Sequence, residues 1–436
     1  MTLKVNKKLF FKIHSWIGIK LSILFFIVCF SGTLATLSHE MDWLFIPEIR
    51  AIPQKEVASR NHILENLKEE YPNGKVTYWM RSEEPYLCDI IYMDDGISGK
   101  TYVLANPYTG KIQGSANLTF QRFFRDLHYF LFIPFQIGNF TVLIFGFLLF
   151  ISMVTALVFY KKWWKKLFKI QTGKGSLVFY RSLHRLVGLW SIPFTIVFSV
   201  TGMWYFMERA NIGNLGSAVN PRYPDVNTPK NVDSVANISY SIDYDKAVAI
   251  AEQEILNFKV GSIAPSENRK DVIYLRGNSD VSLVRQRANR VYIDPNTYKV
   301  LKVQNANKIS TLMWFNDIAD PLHFGYWGGL ATKIIWFFAG LGISSLVLSG
   351  IWITLKRKRI KQKNEGTKVM GAWKYANWVF FAIILFFMYA IIITKYRASL
   401  KSVFIISIGW SIFIALGYYI FVYRLNKIIS LREFRK

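Results

Sequence analysis

Apolar runs of about 20 residues constrain this chain most. A helix must be that long to cross roughly 30 Å of hydrocarbon with its backbone groups paired internally. Six such runs stand at 15–37, 139–160, 186–206, 331–355, 375–394 and 402–423. The polar stretches between the first and second runs, and between the third and fourth, are each long enough for a small folded domain. The chain then divides into an N-terminal segment with the first span (1–38), a first outer domain (39–127) and a histidine-bearing segment with the second span (128–160). A basic loop (161–185), a third span (186–206), a second outer domain (207–320) and a further histidine-bearing segment with the fourth span (321–355) follow. A second basic loop (356–374), spans five and six, and a tail (424–436) complete it.

The net charge of +26 would fit a nucleic-acid partner if it were spread over a folded surface. It is not: segments 1–12, 161–185, 356–374 and 424–436 carry +4, +8, +7 and +4 of it. Alternate spanning puts all four on one side, and the positive-inside rule makes that side the cytoplasm. Both termini are expected there, with anionic membrane lipid as the partner of the basic runs and no nucleic acid. The first span holds Lys20 and is followed by "LSHEMDW" rather than a small-x-small cleavage site, so it reads as a retained anchor. Cys29 and Cys88 are too few for a disulfide framework, and no Cys-x-x-Cys-His run offers covalent haem attachment.

The chain also contains itself twice. His14 precedes Gly18 by four residues and Gly32 by 18; His184 stands in the same frame to Gly188 and Gly202. "RDLHYF" (125–130) answers "DPLHFG" (320–325), and "ANPYTGKIQ" (105–113) answers "IDPNTYKVL" (293–301). In each outer domain a helical stretch precedes short strands, and Asn-Pro or Asp-Pro followed by Thr is hairpin turn chemistry. The expected fold is an α-helical integral membrane protein. Its core is a four-helix bundle from two span–domain–span repeats, with two extra C-terminal helices and two extracytoplasmic α/β domains.

The repeat sorts the six histidines. His14 and His184 pair at the cytoplasmic ends of spans one and three; His128 and His323 pair just before spans two and four, on the outer side. One histidine at a span end is ordinarily an interfacial hydrogen-bonding group, and one glycine a place where helices approach. Four histidines matched by repeat and by depth point instead to iron, since neutral imidazole is a good ligand and an apolar bundle buries a macrocycle. Two b-type haems are expected, one on His14 and His184 and one on His128 and His323. His39 is a candidate further ligand at the outer depth, and His62 a surface residue. Eighteen residues make five helical turns, so Gly32 and Gly202 should share a face with His14 and His184 about 27 Å further along, as clearance for the outer haem. Gly18 and Gly188 would relieve crowding at the inner one. Arg181, Arg185, Arg122 and Arg125 flank these histidines as propionate partners or interfacial anchors. Glu40, Asp42, Asp126 and Asp320 could meet a ferric substrate at the outer mouth. No G-x-G-x-x-G, Walker A, nucleophile elbow or H-E-x-x-H is present, so electrons must come from a separate cytoplasmic or quinol donor.

The blocks "KIHSWIGIKLSILFFIVCFSGTLATLSHEMDW", "RDLHYFLF", "SLHRLVGLWSIPFTIVFSVTG" and "DPLHFGYWGGLATKIIWFFAGLGISSLVLSGIWITLKRK" resemble the PepSY-associated transmembrane family across about residues 5–360. The outer domains resemble PepSY modules. The resemblance implies an iron-regulated ferric-siderophore reductase of the bacterial inner membrane, with haem between its helices and His14, His128, His184 and His323 as ligands. Some relatives continue into a flavin-binding domain after the fourth span; this chain has two more spans instead. Two other readings stand beside this one: a non-enzymatic, membrane-anchored PepSY module binding a peptide or partner protein, and a haem conduit to another acceptor.

Overall fold

The computed structural model describes residues 6–95, 99–160, 162–221, 224, 238–265, 272–361 and 371–424. Of the charge assigned to the chain ends and the 356–374 loop, Lys4, Lys363, Glu365, Lys368 and the charged residues of 427–436 lie outside the described residues. The chain forms two compact units, one of residues 1–37, 122–206 and 333–436, the other of 38–121 and 207–332.

The first unit is helical. TM2 (Phe135–Phe159), TM4 (Gly329–Lys361), TM5 (Trp373–Ala390, with a π-turn through Lys395) and TM6 (Leu400–Tyr418) are unbroken apolar helices close to their predicted bounds. Among the described residues, four helices are long and apolar enough to cross a membrane, and up to six spans result if each bent pair counts as one. This is a multi-pass membrane protein.

The two bent pairs depart from the sequence reading. TM1 is two helices, TM1a (Lys7–Lys20) and TM1b (Ser22–Thr36), meeting at 75°; TM3 is TM3a (Ser176–Trp190) and TM3b (Ile192–Arg209), meeting at 61°. In TM3 the cause is local. Pro193 has no N–H, and its ring clashes with the carbonyl four residues back. TM1 has no proline. Its break is bridged by Asn377 of TM5, whose Nδ2 donates to the Lys20 carbonyl at 2.6 Å and whose Oδ1 accepts from the Ile23 amide at 3.1 Å. A side chain inserted into the helical ladder is a recognised cause of a kink.

The second unit holds one antiparallel sheet of eight strands, in the order β4-β3-β2-β1-β5-β6-β7-β8. Residues 39–127 supply β1 (Lys75–Met80), β2 (Asp89–Asp94), β3 (Lys100–Ala105) and β4 (Ile112–Ala116). Residues 207–320 supply β5 (Lys259–Ala264), β6 (Ile273–Asn278), β7 (Asn289–Ile293) and β8 (Val300–Gln304). The two expected domains thus share a sheet, joined where Trp79 and Met80 oppose Ile263 and Ser262. An isolated four-stranded half would leave β1 as an open edge; pairing with β5 removes two such edges at once. Helices Arg60–Glu70 and Tyr244–Glu254 add Leu67, Ala247 and Ala251 to a core with Trp79, Ile91, Ile263 and Val291. They cap each other: the Asp245 carboxylate accepts from the amides of Arg60 and Asn61, and Asn61 Oδ1 accepts from that of Tyr244. The two predicted turns are built alike. Asn106 accepts from the amides of Tyr108 and Thr109, and Asp294 from those of Asn296 and Thr297.

Candidate functional site

His14 on TM1a and His184 on TM3a come together in the first unit, their ring centroids 6.4 Å apart and their planes at 86°. Each ring is oriented by a neighbouring span. His14 Nδ1 lies 2.9 Å from the Ser152 carbonyl oxygen on TM2 and 3.1 Å from the Ser152 hydroxyl. A carbonyl only accepts, so Nδ1 carries the proton and the lone pair sits on Nε2. His184 Nδ1 lies 2.8 Å from Ser349 Oγ on TM4. With that hydroxyl's own hydrogen directed to the Leu346 carbonyl at 3.3 Å, its oxygen is able to accept the Nδ1 proton of His184. His14 thus keeps its lone pair on Nε2, the tautomer that metal-bound histidines take when Nδ1–H is held by a second group, and the Ser349 bond is compatible with the same tautomer in His184.

His128, on the helix Phe120–Phe130, repeats the device: its Nδ1 donates to the Val28 carbonyl of TM1b at 2.8 Å. Gly32, one turn beyond Val28, makes this possible. A Cβ at Gly32 would stand 2.7 Å from His128 Cε1. The glycine singled out as clearance for a macrocycle is thus clearance for a histidine. Its repeat counterpart differs, because a Cβ at Gly202 would stand 3.4 Å from the Gly146 Cα, where TM3b crosses TM2. The five-turn projection from His14 and from His184 assumed straight helices, and both bends overturn it. A Cβ at Gly188 would meet Leu346 at 3.8 Å, and one at Gly18 nothing within 4 Å. His323 ends the helix Thr311–Phe324, half-buried beside Phe324. It belongs to the second unit and His128 to the first.

The charged candidates are placed differently from expectation. Asp42 is buried, 1% exposed, and accepts from the amides of Phe120 and Gln121 at 2.5 and 3.2 Å, capping the His128 helix. Burial pushes its carboxyl up to about 7, against the pull of those two amides. Asp126 is buried between Arg125, 2.8 Å away, and the Tyr396 hydroxyl that follows TM5, while Arg122 lies 3.6 Å over the Tyr396 ring. Asp320 pairs with Arg285 at 2.6 Å, and Asp317 with Arg285 and Arg287. Each of these three aspartates is bonded to protein groups, Asp42 and Asp126 buried and Asp320 part-exposed. Arg185 donates to the Tyr160 hydroxyl at 2.9 Å and to the Lys169 carbonyl; Arg181 is exposed. Glu40 and His39 lie half-buried on the helix Ser38–Phe45, and His62 is exposed.

Ser152, Ser349, Asn377 and Tyr396 escaped the sequence reading. Each is a lone polar residue in or beside an apolar run, and nothing local marks its partner.

The donor set suits a haem better than a bare ion. Among the described residues, no three His, Cys, Asp or Glu side chains gather to hold a metal. Two imidazoles suffice only when another group fills the remaining positions, as a porphyrin does. His14 and His184 would supply those two imidazoles. Comparison with curated proteins gives no match. The profile of the PepSY-associated TM region matches residues 11–357, and the chain belongs to that family.

Proposed function

We propose that this protein is a transmembrane reductase of the bacterial inner membrane, with both termini cytoplasmic, holding two b-type haems. His14 and His184 would hold one, His128 and His323 the other. Haem iron supplies one-electron chemistry when bound; a separate cytoplasmic or quinol donor supplies the electron. The acceptor is extracytoplasmic ferric iron, best matched by a ferric siderophore, whose hard oxygen donors hold Fe(III) more tightly than Fe(II). The observation that carries this reading is the pairing of the His14 and His184 rings, 6.4 Å between centroids, each with Nδ1 engaged by a neighbouring span.

The chain's own residues do the rest. Ser152, Ser349 and the Val28 carbonyl fix tautomer and aim, and apolar spans exclude water. Gly32 admits the His128 ring. Arg181, Arg185 and Arg125 offer cations to propionates. The decisive experiment is an absorption spectrum of the detergent-purified protein, expressed with ample haem. Low-spin b-type bands at two haems per chain support the reading, and absence of haem sinks it. The edge strands β4 and β8, unpaired on one side among the described residues, favour a second reading, a PepSY module that binds an extended peptide by strand addition. That reading gains if haem is absent.

A further inference from the structure

The structure assigns to Asn377 of TM5 the task that Pro193 performs in the second repeat: holding the bend of a histidine-bearing span. A shift of 170 residues carries His14 onto His184, Leu21 onto Ser191, Ile23 onto Pro193 and Gly32 onto Gly202. The two breaks, at Leu21 and Ser191, are therefore the same break.

In the second repeat the residue two places past the break has no amide hydrogen to satisfy. In the first, Ile23 has one, and a straight helix would give it to the Ile19 carbonyl. It goes to Asn377 Oδ1 instead. The same amide's Nδ2 serves Lys20, whose carbonyl the break also releases, and the Trp373 carbonyl one turn back on TM5 at 2.7 Å. Both donors and the acceptor of Asn377 are used, and the side chain is 2% exposed. Its orientation is fixed by its partners, since only the oxygen can face an N–H and only the NH2 a carbonyl. In hydrocarbon the released groups have no water to turn to. Without Asn377, TM1 relieves them by closing into one straight helix.

TM5 lies beyond the residues that the family profile covers. The added hairpin is thus a working part of the first repeat rather than an appendage. Asn377 is a positioning residue: the bend lies seven residues beyond His14 and sets its aim at His184. Only that consequence rests on the proposed haem site.

The test is a distance across the bend that needs no haem. Spin labels go at Leu9→Cys and Leu37→Cys, in full-length protein lacking Cys29 and Cys88, reconstituted in lipid nanodiscs. Pulsed electron paramagnetic resonance should give one distance for the parent and the same for Ile23→Pro. Asn377→Leu should lengthen it by roughly 8 Å, the gain on straightening at 1.5 Å per residue. Ile23→Pro combined with Asn377→Leu should restore the parental distance. A parental distance in Asn377→Leu overturns the assignment, as does a double variant that stays long. Should Asn377→Leu fail to fold, Ile23→Pro still decides, because a changed distance or loss of folding there also overturns it. A protein that binds no haem but passes this test would defeat the proposed function and leave this assignment standing.

Discussion

TM1 and TM3 spell the same message twice, histidine, break and glycine in one frame, and the molecule reads the copies differently. TM3 bends because of a residue it contains; TM1 bends because of a residue another helix lends it. Gly202 lets two helices cross, whereas Gly32 lets a histidine reach a backbone carbonyl. The contrast extends to the helices carrying the other histidine pair. The His323 helix is capped by its own Ser310, which accepts from the Met313 amide at 3.3 Å; the His128 helix is capped by Asp42, far away in sequence. Repetition conserves where a device sits more strictly than how it is built. The second copy keeps its devices local, and the first borrows them.

The sharpest test of equivalence is the histidine pair itself. His14→Ala and His184→Ala should each lower haem from two to one per chain by pyridine haemochromogen assay. If one variant keeps both haems, the copies are not equivalent at the site. Next in size is the glycine contrast. Gly32→Ala should push His128 off the Val28 carbonyl and cost about 1–3 kcal/mol, less the gain of up to about 1 kcal/mol for alanine in a helix. Gly202→Ala meets only close van der Waals contact and should stay within about 1 kcal/mol of the parent. Equal losses in thermal unfolding would erase the distinction.

The serines should differ too. Ser349→Ala removes the hydroxyl bonded to His184 Nδ1 and should cost about 1 kcal/mol. Ser152→Ala leaves the backbone carbonyl in place and should cost less. A red-shifted or broadened Soret band in Ser152→Ala alone would reverse that order.

The smallest effect concerns pH. Asp42 titrates near 7 in the folded protein and near its ordinary 3.8 when unfolded, so folding takes up a proton between those values. Its contribution to stability is present in full below about 4 and is lost as pH rises through 7. Melting temperature should fall across that window in the parent and less in Asp42→Asn. Ser310→Ala should lower it by an amount that does not depend on pH, about 1 kcal/mol for a lost cap. A slope unchanged in Asp42→Asn would remove Asp42 as its source.

What the letters reveal follows from the range of the forces involved. Hydrocarbon imposes length and apolarity on each span separately, so all six runs could be read one at a time. Two histidines in one frame could be read because the repeat supplies its own comparison. The Pro193 bend was within reach, since proline acts on its own helix. The TM1 bend was not, because its cause stands 354 residues away. Asp42, Asp126 and Asp320 looked like exposed acids for the same reason: sequence shows a charge and hides its partner. The single sheet was hidden as well, because a strand's pattern records which face is buried and not which neighbour lies at its edge.

That sheet has one more consequence. Strands β1 and β5 are equivalent in the two repeats, and they pair antiparallel at the centre of a palindromic strand order. A two-fold axis produces this arrangement when identical subunits meet through the same strand. The second unit therefore has the plan of a homodimer written into one polypeptide, its subunit interface turned into an interior. Cutting the chain between the repeats would make two halves that still need each other, and either half alone would expose an edge shaped to accept its twin.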